Sequence, residues 1–558
     1  MIKDCFKILT VICFFISCGK GNEPAQPPLT PIYPVAAKSV TINVAAFDNI
    51  NYGINTLPVI KVAFTQPLQR SSVTAAVRLA DASGTAVVIS SSFQNGDSTL
   101  LIQPAGPLNY LTKYNLKISD ALRSVSNGPL NNAIDKSFIT QIDSAAKFPL
   151  LTDNALLDLV QKQTFKYFWD FGHPVSGLAR ERSNGDDNVV TTGGSGFGIM
   201  SVITAVSRNF ITRTEGLARI QTMTGFLKNT AQNFKGAFPH WMNGATGAVI
   251  PFSPKDDGAD LVETSYLVQG LLCARQYFSG TSAAEINLRA DINIICNRVE
   301  WDWFRKNKED VLYWHWSPAN NWDINQKIQG WNECLVTYVL GASSTTHNIP
   351  AAVYNNGWAG NGTNGFKNGN SYYGYVLPLG PPAGGPLFFS HYSFLGINPN
   401  GLKDAYADYA TQTKNHTLIN YGYCIANPNN YYGYSNLCWG LTASDVPNGY
   451  NANSPTSDVG VISPTAALSS FPYTPEESMK ALKFFYYTLG DKIFKDYGFV
   501  DAFALKDLWY AESFLAIDQG PIIVMIENYR SGLLWNLFTS CPEVKVGMRS
   551  LGFTASYL

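Results

Sequence analysis

Three stretches of this sequence, residues 251–263, 322–333 and 518–530, combine carboxylic acids with aromatic or amide side chains. Carboxyl groups in such surroundings can work in pairs, one as a general acid and the other as a base or nucleophile. Cleavage of a glycosidic bond requires such a pair, because one acid protonates the leaving oxygen while a carboxylate activates water or attacks the sugar. These stretches are the first candidates for an active site.

The first stretch, PFSPKDDGADLVE, places four carboxylates within eight residues where a loop becomes a helix. If the helix begins near Asp260, then Asp260 and Glu263 are neighbours on one helical face. Acids are also common at helix starts, where they cap free N–H groups. Capping accounts for one acid, whereas four like charges favour a substrate role. Glu263 is therefore a catalytic candidate, and Asp256 and Asp260 are substrate-binding candidates.

The second stretch, WDINQKIQGWNE, ends in Glu333, which we expect just inside a helix that follows Gly330. A carboxyl group among tryptophans should have a raised pKa because burial disfavours its charged form, and a general acid needs a raised pKa. The alternative is a capping glutamate beside core tryptophans. Glu333 is a catalytic candidate, with Trp322 and Trp331 as substrate-binding candidates.

The third stretch contains Asp518, three residues before Pro521, which predicts a helix start. A cap is an equally good explanation of this acid, but Asp518 is retained as a catalytic candidate. Two further aromatic residues, Trp241 and Tyr266, are candidates for contact with substrate. Their rings offer apolar faces and polar tips of the kind that bind sugars.

The composition limits the classes of partner. The chain has 558 residues, a formal net charge of -1 and 15% charged residues. This composition predicts neither a polyanion-binding surface nor a nucleic-acid partner. The aromatic share of 13% fits either a carbohydrate groove or a large aromatic core. The six histidines show no metal-ligand spacing, so we expect no metal and no cofactor.

The first residues resemble a bacterial lipoprotein signal. A short apolar run after Lys3 and Lys7 ends at FISCG, so residues 1–18 predict a signal peptide with Cys18 as the lipidated residue. The apolar run is too short for a permanent membrane span. Cleavage to a soluble product is the alternative. Residues 19–37 are Pro-rich and predict a linker, so we expect an exported cell-envelope protein anchored by lipid.

Two patterns follow along the chain. Residues 38–142 contain short alternating runs such as VTINV at 40–44 and YNLKI at 114–118, which predict an all-β Ig-like sandwich. From about residue 150 to 558 the apolar period is helical, and we expect ten to twelve helices. A TPEE sequence at 474–477 predicts a capping box. The fold class is therefore mainly α, an (α/α)6 toroid preceded by the sandwich, with a helical bundle or solenoid as the competing topology.

The helical part resembles a known family. Four motifs, TGGSGFGIM, DDGADLVETSYLVQGLL, IQGWNECLVTYVLGASS and AIDQGPIIVMIENYRSGLLW, are similar to those of the bacterial glucoamylase-like domain of glycoside hydrolase family 144, the β-1,2-glucanases. The resemblance implies an (α/α)6 toroid and inverting hydrolysis of β-1,2-glucan to sophorose or sophorooligosaccharides. It also implies that Glu333 is the general acid and Asp518 the base.

Other readings of the same residues give different expectations. A helical-toroid polysaccharide lyase would act on an anionic chain, which these acidic clusters would repel. A surface glycan-binding lipoprotein would keep the groove without turnover, and a phosphorylase would require phosphate. We expect a polysaccharide or oligosaccharide substrate, contact with a membrane only through the lipid, and a monomer.

Overall fold

The computed structural model describes residues 31–363 and 365–558, which form two compact units that divide between Gln141 and Ile142. The predicted signal peptide and Cys18 lie outside the described residues. Within those ranges, no helix has the length and apolar character needed to cross a bilayer.

The first unit is β-rich, as the alternating sequence predicts. Its strands are β1 to β9 in chain order: Ala37–Ile42, Ala45–Ala46, Ile50–Ile54, Ile60–Phe64, Val77–Asp81, Ile89–Gln94, Thr99–Pro104, Lys113–Ile118 and Ile134–Thr140. A short helix, α1 (Arg70–Ala76), precedes β5. One sheet has the order β2-β1-β4-β7-β6 and the other β3-β9-β8-β5. The pairing of β3 with β9 is parallel and the other pairings of these two sheets are antiparallel.

Both sheets contribute to one apolar core. Strand β4 alternates buried Ile60, Val62 and Phe64 with more exposed positions, which is the period-two pattern of a strand with one buried face. These side chains belong to the same buried cluster as Leu116 and Phe138 of the opposite sheet. Two facing, largely antiparallel sheets with a shared core are typical of Ig-like domains.

The second unit is helix-rich. Its helices are α2 to α14 in chain order: Asp153–Trp169, Thr192–Ser207, Arg213–Asn229, Leu261–Tyr277, Ala283–Asn297, Leu335–Ser343, Tyr409–Ala426, Pro464–Leu468, Pro475–Lys483, Gly490–Ile493, Ala516–Ser531, Leu533–Ser540 and Pro542–Ser550. Short strands β10 to β24 form the connections: Val189–Thr191, Trp241–Asn243, Val249–Ile250, Ala259–Asp260, Leu312–Tyr313, His315–Trp316, Lys327–Ile328, Ser371–Tyr372, Tyr375–Val376, Ala443–Val446, Gly449–Ala452, Phe494–Lys495, Gly498–Phe499, Phe503–Ala504 and Trp509–Tyr510.

The most deeply buried helices pack side by side. Helix α3 packs against α5 and α12, α5 also packs against α7, and α12 also packs against α9. Helix α3 is buried over almost its whole length, whereas α4 and α6 each bury one side and pack on each other. A helix that is apolar all round must be surrounded by protein, so α3 lies in the centre of this unit.

Glycines allow the close approach of α3 and α5. A Cβ atom at Gly196 would lie 2.2 Å from the Tyr266 carbonyl oxygen, and one at Gly270 would lie 2.2 Å from the Gly196 carbonyl oxygen. The GGSGFG sequence at 193–198 therefore brings the two backbones into contact, and the first turns of both helices come together.

Three local expectations are corrected. Helix α7 begins at Leu335, so Glu333 precedes the helix instead of lying inside it. Helix α12 begins at Ala516, which places Asp518 in its first turn and Pro521 within the helix. Helix α10 has Pro475 at its first position, but the Thr474 side chain makes no capping hydrogen bond.

The glycine contact generates a stability prediction with a matched control. Gly196→Ala should lower the free energy of unfolding by about 2 kcal/mol, because the added methyl group meets backbone that cannot rotate away. Gly225→Ala in α4 should raise it by about 0.5 kcal/mol, because a Cβ there meets no atom within 4 Å and alanine favours helix. Urea unfolding of both variants measures the difference. Equal stabilities would show that α3 and α5 can separate without cost.

Candidate active site

A cavity of about 590 Å³ lies in the second unit, where the N-terminal ends of the central helices meet the connecting loops. Its lining is Glu181, Arg182, Thr191, His240, Trp241, Phe252, Val262, Glu263, Tyr266, Trp314, Glu333, Phe388, Tyr392, Ala443, Tyr450, Ala452, Leu515 and Ile517. The mixture of aromatic walls with a few charged groups is typical of sites that bind small polar molecules such as sugars.

Asp260 organises one wall of the cavity. It is the N-cap of α5, and its Oδ1 accepts hydrogen bonds from the N–H groups of Val262 and Glu263, both at 2.9 Å. Its Oδ2 lies 3.0 Å from His240 Nδ1. Burial alone would raise the pKa of Asp260, but hydrogen bonds and positive charge from His240 and His315 hold it well below its usual range. Asp260 is therefore an ionised carboxylate that contacts the cavity-lining His240 without lining the cavity itself.

Two imidazole rings compensate the negative charge of the acidic residues in this wall. His315 Nε2 lies 3.2 Å from Asp256 Oδ2 and 3.5 Å from Asp260 Oδ2. Burial would lower the pKa of each ring, but the surrounding carboxylates, including Glu263 beside His240, raise both pKa values to about 9. At neutral pH both rings are imidazolium groups, and the His240 ring faces the cavity.

His240, Asp256 and Asp260 are also the side chains that could bind a metal ion, since one ligand atom from each lies within 4.8 Å of the others. The His315 ring, however, already contacts both aspartates. A charged imidazolium there supplies the positive charge that a cation would otherwise bring. The His315 charge thus neutralises part of the acid cluster, while Asp256 Oδ1 and His315 Nδ1 are buried without a hydrogen-bond partner among the described residues.

Glu263 projects from the first turn of α5 into the cavity. Its Oε2 accepts hydrogen bonds from Gly193 N at 2.7 Å and from Thr191 Oγ1 at 3.3 Å. A Cβ at Gly193 would lie 2.6 Å from that oxygen, so glycine is needed for the contact. Burial and the Asp260 charge raise the pKa of Glu263, while His240 and these hydrogen bonds oppose the increase.

Glu333 lines the same cavity from the turn before α7. Ser393 Oγ donates a hydrogen bond to the Glu333 carbonyl oxygen and fixes this turn. The side chain is partly open to the cavity but lies deep within the protein. Burial, with smaller contributions from the Glu263 and Asp260 charges, raises the pKa of Glu333 to about 7. A carboxyl group that keeps its proton near neutral pH fits the role of a general acid.

Asp518 lies behind the cavity wall, not on it. Its side chain is almost completely buried in the first turn of α12. Burial and the neighbouring Asp501 raise its pKa well above the usual range. Asp501, Asp445 and Arg182 lie near this position, and Glu181 pairs with Arg182. Sequence analysis did not select these four residues, because Asp445 lies in the short β19 strand and the others lie in loops whose sequence carries no motif signal.

The four aromatic candidates separate into two groups. Trp241 and Tyr266 line the cavity, and Phe252, which sequence analysis did not select, stacks on His240 with ring centroids 4.1 Å apart. Trp331 instead packs in the core, 5.8 Å from the Tyr409 ring, and Trp322 packs 4.8 Å from the Trp303 ring. Trp322 and Trp331 are not among the cavity-lining residues.

The ion pair between His240 and Asp260 predicts a raised pKa of His240 that can be measured. His240 should remain protonated up to about pH 9, and Asp260→Asn should lower its pKa by at least one unit because the nearest hydrogen-bonded charge is removed. NMR titration of the imidazole resonance measures this value, and its absence from His240→Gln assigns it. An unchanged His240 pKa in the Asp260 variant would contradict the proposed electrostatics.

Comparison with known proteins covers both units. The family model Glycoamylase, described as a glucoamylase, matches residues 325–542, and that of a bacterial Ig-like domain matches residues 25–140. An exo-β-1,2-glucooligosaccharide sophorohydrolase (non-reducing end) from Parabacteroides distasonis is 44% identical over 438 residues, which is 75% of this chain and 60% of that protein. The chain therefore spans less than two thirds of this curated relative.

Two solved structures extend the likeness. An endo-β-1,2-glucanase from Chitinophaga pinensis is 51% identical with a TM-score of 0.71, covering 73% of this chain and all of that one. A β-1,2-glucanase from Parabacteroides distasonis is 37% identical with a TM-score of 0.70, covering 95% of this chain and 74% of that one. The chain belongs to the bacterial β-1,2-glucanase and sophorohydrolase family, of glycoside hydrolase family 144 type, and carries an N-terminal Ig-like domain.

Proposed function

We propose that this protein hydrolyses β-1,2-glucan to sophorose or longer sophorooligosaccharides by an inverting acid/base mechanism. The observation that carries the proposal is the Glu333 carboxyl group, which faces the cavity beside Glu263 and has a pKa of about 7. The relatives described above support the choice of linkage, since their names specify β-1,2-glucan or β-1,2-glucooligosaccharides.

Each carboxyl group has a separate role in this mechanism. Glu333 donates its proton to the glycosidic oxygen as the bond to the sugar breaks. Asp518 in its ionised form takes a proton from the water that attacks the anomeric carbon from the opposite face. Because Asp518 lies behind the wall, one bridging water would complete the path between it and the attacking water.

The remaining cavity groups bind and orient the sugar. Trp241 and Phe252 offer ring faces for stacking on pyranose rings. The buried Tyr266 hydroxyl has no hydrogen-bond partner among the described residues, so a sugar hydroxyl can satisfy it. Glu263 accepts and His240 donates hydrogen bonds to further hydroxyl groups. Asp256 and Asp260 act through the two histidines rather than by direct contact.

We also propose the (α/α)6 toroid as the architecture of the second unit. Its inner ring would run from α3 through α5, α7, the short helical turns at 387–395, α9 and α12 back to α3. Packing between successive members supports this order, and hydrogen bonds from Tyr473 to Ser390 and between His391 and Ser470 join the 387–395 turns to the α9 region. Helices α2, α4, α6, α8, α10 and α14 would form the outer layer.

The N-terminal proposal follows from sequence. Lipidation of Cys18 would anchor the chain to the cell envelope. In chain order, residues 19–37 would be a linker, residues 38–142 an Ig-like spacer and residues 150–558 the catalytic domain. We expect a monomer, because substrate and both carboxyl groups would be held within one chain.

Product analysis tests the hydrolase. The protein without residues 1–20, incubated with linear β-1,2-glucan in phosphate-free buffer, should release sophorose or short oligosaccharides. Glu333→Gln and Asp518→Asn should each lower kcat by about 100-fold or more, because each removes one proton-transfer step. Glu476→Gln, an exposed glutamate in α10, serves as the matched control.

The other readings give different results in the same assay. Products that require phosphate would indicate a phosphorylase, and unsaturated products from alginate or pectin would indicate a lyase. Binding of β-1,2-glucan without any product after long incubation would contradict the hydrolase and indicate a glycan-binding protein.

The pH dependence follows from Glu333. A general acid must be protonated, so kcat should fall about tenfold per pH unit as pH rises through about 7. Initial rates between pH 5 and 9 with saturating β-1,2-glucan measure this limb. A rate that is independent of pH up to 9 would exclude Glu333 as the proton donor.

A further inference from the structure

A second group of charged residues extends inward from the cavity lining, where β19, the loop after β22 and the first turn of α12 meet: Glu181 and Arg182 line the cavity, and Asp445, Asp501 and Asp518 lie behind it. Arg182 pairs with two of its acids: Nε lies 3.0 Å from Glu181 Oε2 and Nη1 lies 3.3 Å from Asp445 Oδ1. Asp501 and Asp518, the two deepest members, are each about 1% exposed. One guanidinium therefore accompanies four carboxyl groups.

Asp501 is held in a fixed orientation. Its Oδ2 accepts a hydrogen bond from Asp445 N at 2.7 Å, and its own N–H donates to the Ser513 carbonyl oxygen at 3.0 Å. In the part of the chain that the structure describes, neither its Oδ1 nor Asp518 Oδ2 has a hydrogen-bond partner outside the pair, although both atoms are buried. The two carboxyl groups are hydrogen-bond neighbours of each other. Two carboxyl groups can form such a bond only when one of them carries a proton.

We propose that Asp501 and Asp518 form one acid pair that shares a single proton, and that Asp501 is a positioning residue that acts on the reaction through Asp518. The proposal rests on the assignment of Asp518 as the base. It adds a residue that no sequence motif indicated, and it explains how two buried carboxyl groups persist side by side: only one negative charge has to be accommodated.

The charges around the pair support a single proton. Burial is the main influence on both groups, and it raises the pKa of Asp501 to about 7 and that of Asp518 well above its usual range. Asp445 adds further negative charge, and Arg182 opposes it. Glu181, Tyr167, Tyr392 and Tyr450 are further titratable groups near the pair.

The shared proton prepares Asp518 for its role. At rest the higher pKa of Asp518 favours the proton on Asp518, which donates it to Asp501. Transfer of that proton along the hydrogen bond to Asp501 leaves Asp518 as a carboxylate that receives one hydrogen bond and can accept a proton from water. During hydrolysis the O–H bond of water breaks, its oxygen bonds to the anomeric carbon, and its proton passes to the pair. The proton of Glu333 passes to the leaving oxygen. The pair then returns its extra proton to solvent and Glu333 takes one back, so protons balance over a turnover.

Thermal unfolding as a function of pH tests the pair without relying on catalysis. The native pair keeps a proton that the unfolded chain loses near pH 4, so wild-type stability should decrease as pH rises from about 4 through 7. Asp501→Asn can still accept from Asp445 N and donate to Asp518, but it cannot ionise. The Tm of the variant minus that of wild type should therefore increase as pH rises from 5 to 8. Asp496→Asn, the same change at an exposed position, should follow wild type at every pH.

Kinetics supply the second measurement. Asp501→Asn should lower kcat about tenfold, and Asp501→Leu, which removes the donor, should lower it about 100-fold, both with KM unchanged because Asp501 does not reach the cavity. A purely structural role would change KM and Tm together. If wild type makes no product from β-1,2-glucan, the proposed function fails while the Tm measurement still decides the pair. Parallel Tm curves for wild type and Asp501→Asn would overturn the shared proton.

Discussion

The site depends on helix N-termini, because their N–H groups make it possible to bury acidic side chains in the protein interior. Asp260 caps α5, Glu263 lies in its first turn, and Asp518 lies in the first turn of α12. The first N–H groups of a helix lack partners and carry partial positive charge, so those of α5 stabilise Asp260 as a carboxylate. Gly193, in the first turn of α3, donates its N–H to Glu263 in the same way. Asp518 receives no such hydrogen bond at Oδ2 from the described residues, and its pKa is raised.

Similar acids acquire different protonation states from their surroundings. Asp260 is hydrogen-bonded to backbone N–H groups and close to two imidazolium rings, so its pKa falls despite complete burial. No cation of the described residues contributes to the pKa of Glu333, and burial raises it to about 7. One acid is therefore a permanent anion and the other a proton donor at neutral pH, which separates a supporting role from a chemical one.

Sequence analysis predicted the site correctly where the candidate residues also mark a local structural feature such as a helix start. The acidic run at 256–263 predicted a helix start and a cluster of acids, and both follow from short-range rules for caps. The aromatic content could not distinguish a groove from a core, so Trp331 was selected although it packs against Tyr409. Asp445 and Asp501 approach Asp518 only through the fold, because a hairpin and a loop distant in sequence bring them there.

The same distance in sequence separates the proposed acid from the proposed base. Glu333 precedes α7, whereas Asp518 begins α12, and the contacts that relate these helices pass through α5 and α3. Whether a glycosidase inverts or retains depends on the separation of its two carboxyl groups. That separation is set by how closely the central helices pack, and thus by contacts such as Gly196 against the Tyr266 carbonyl oxygen. The stereochemistry of the reaction is therefore encoded in helix packing and not in either acidic motif alone.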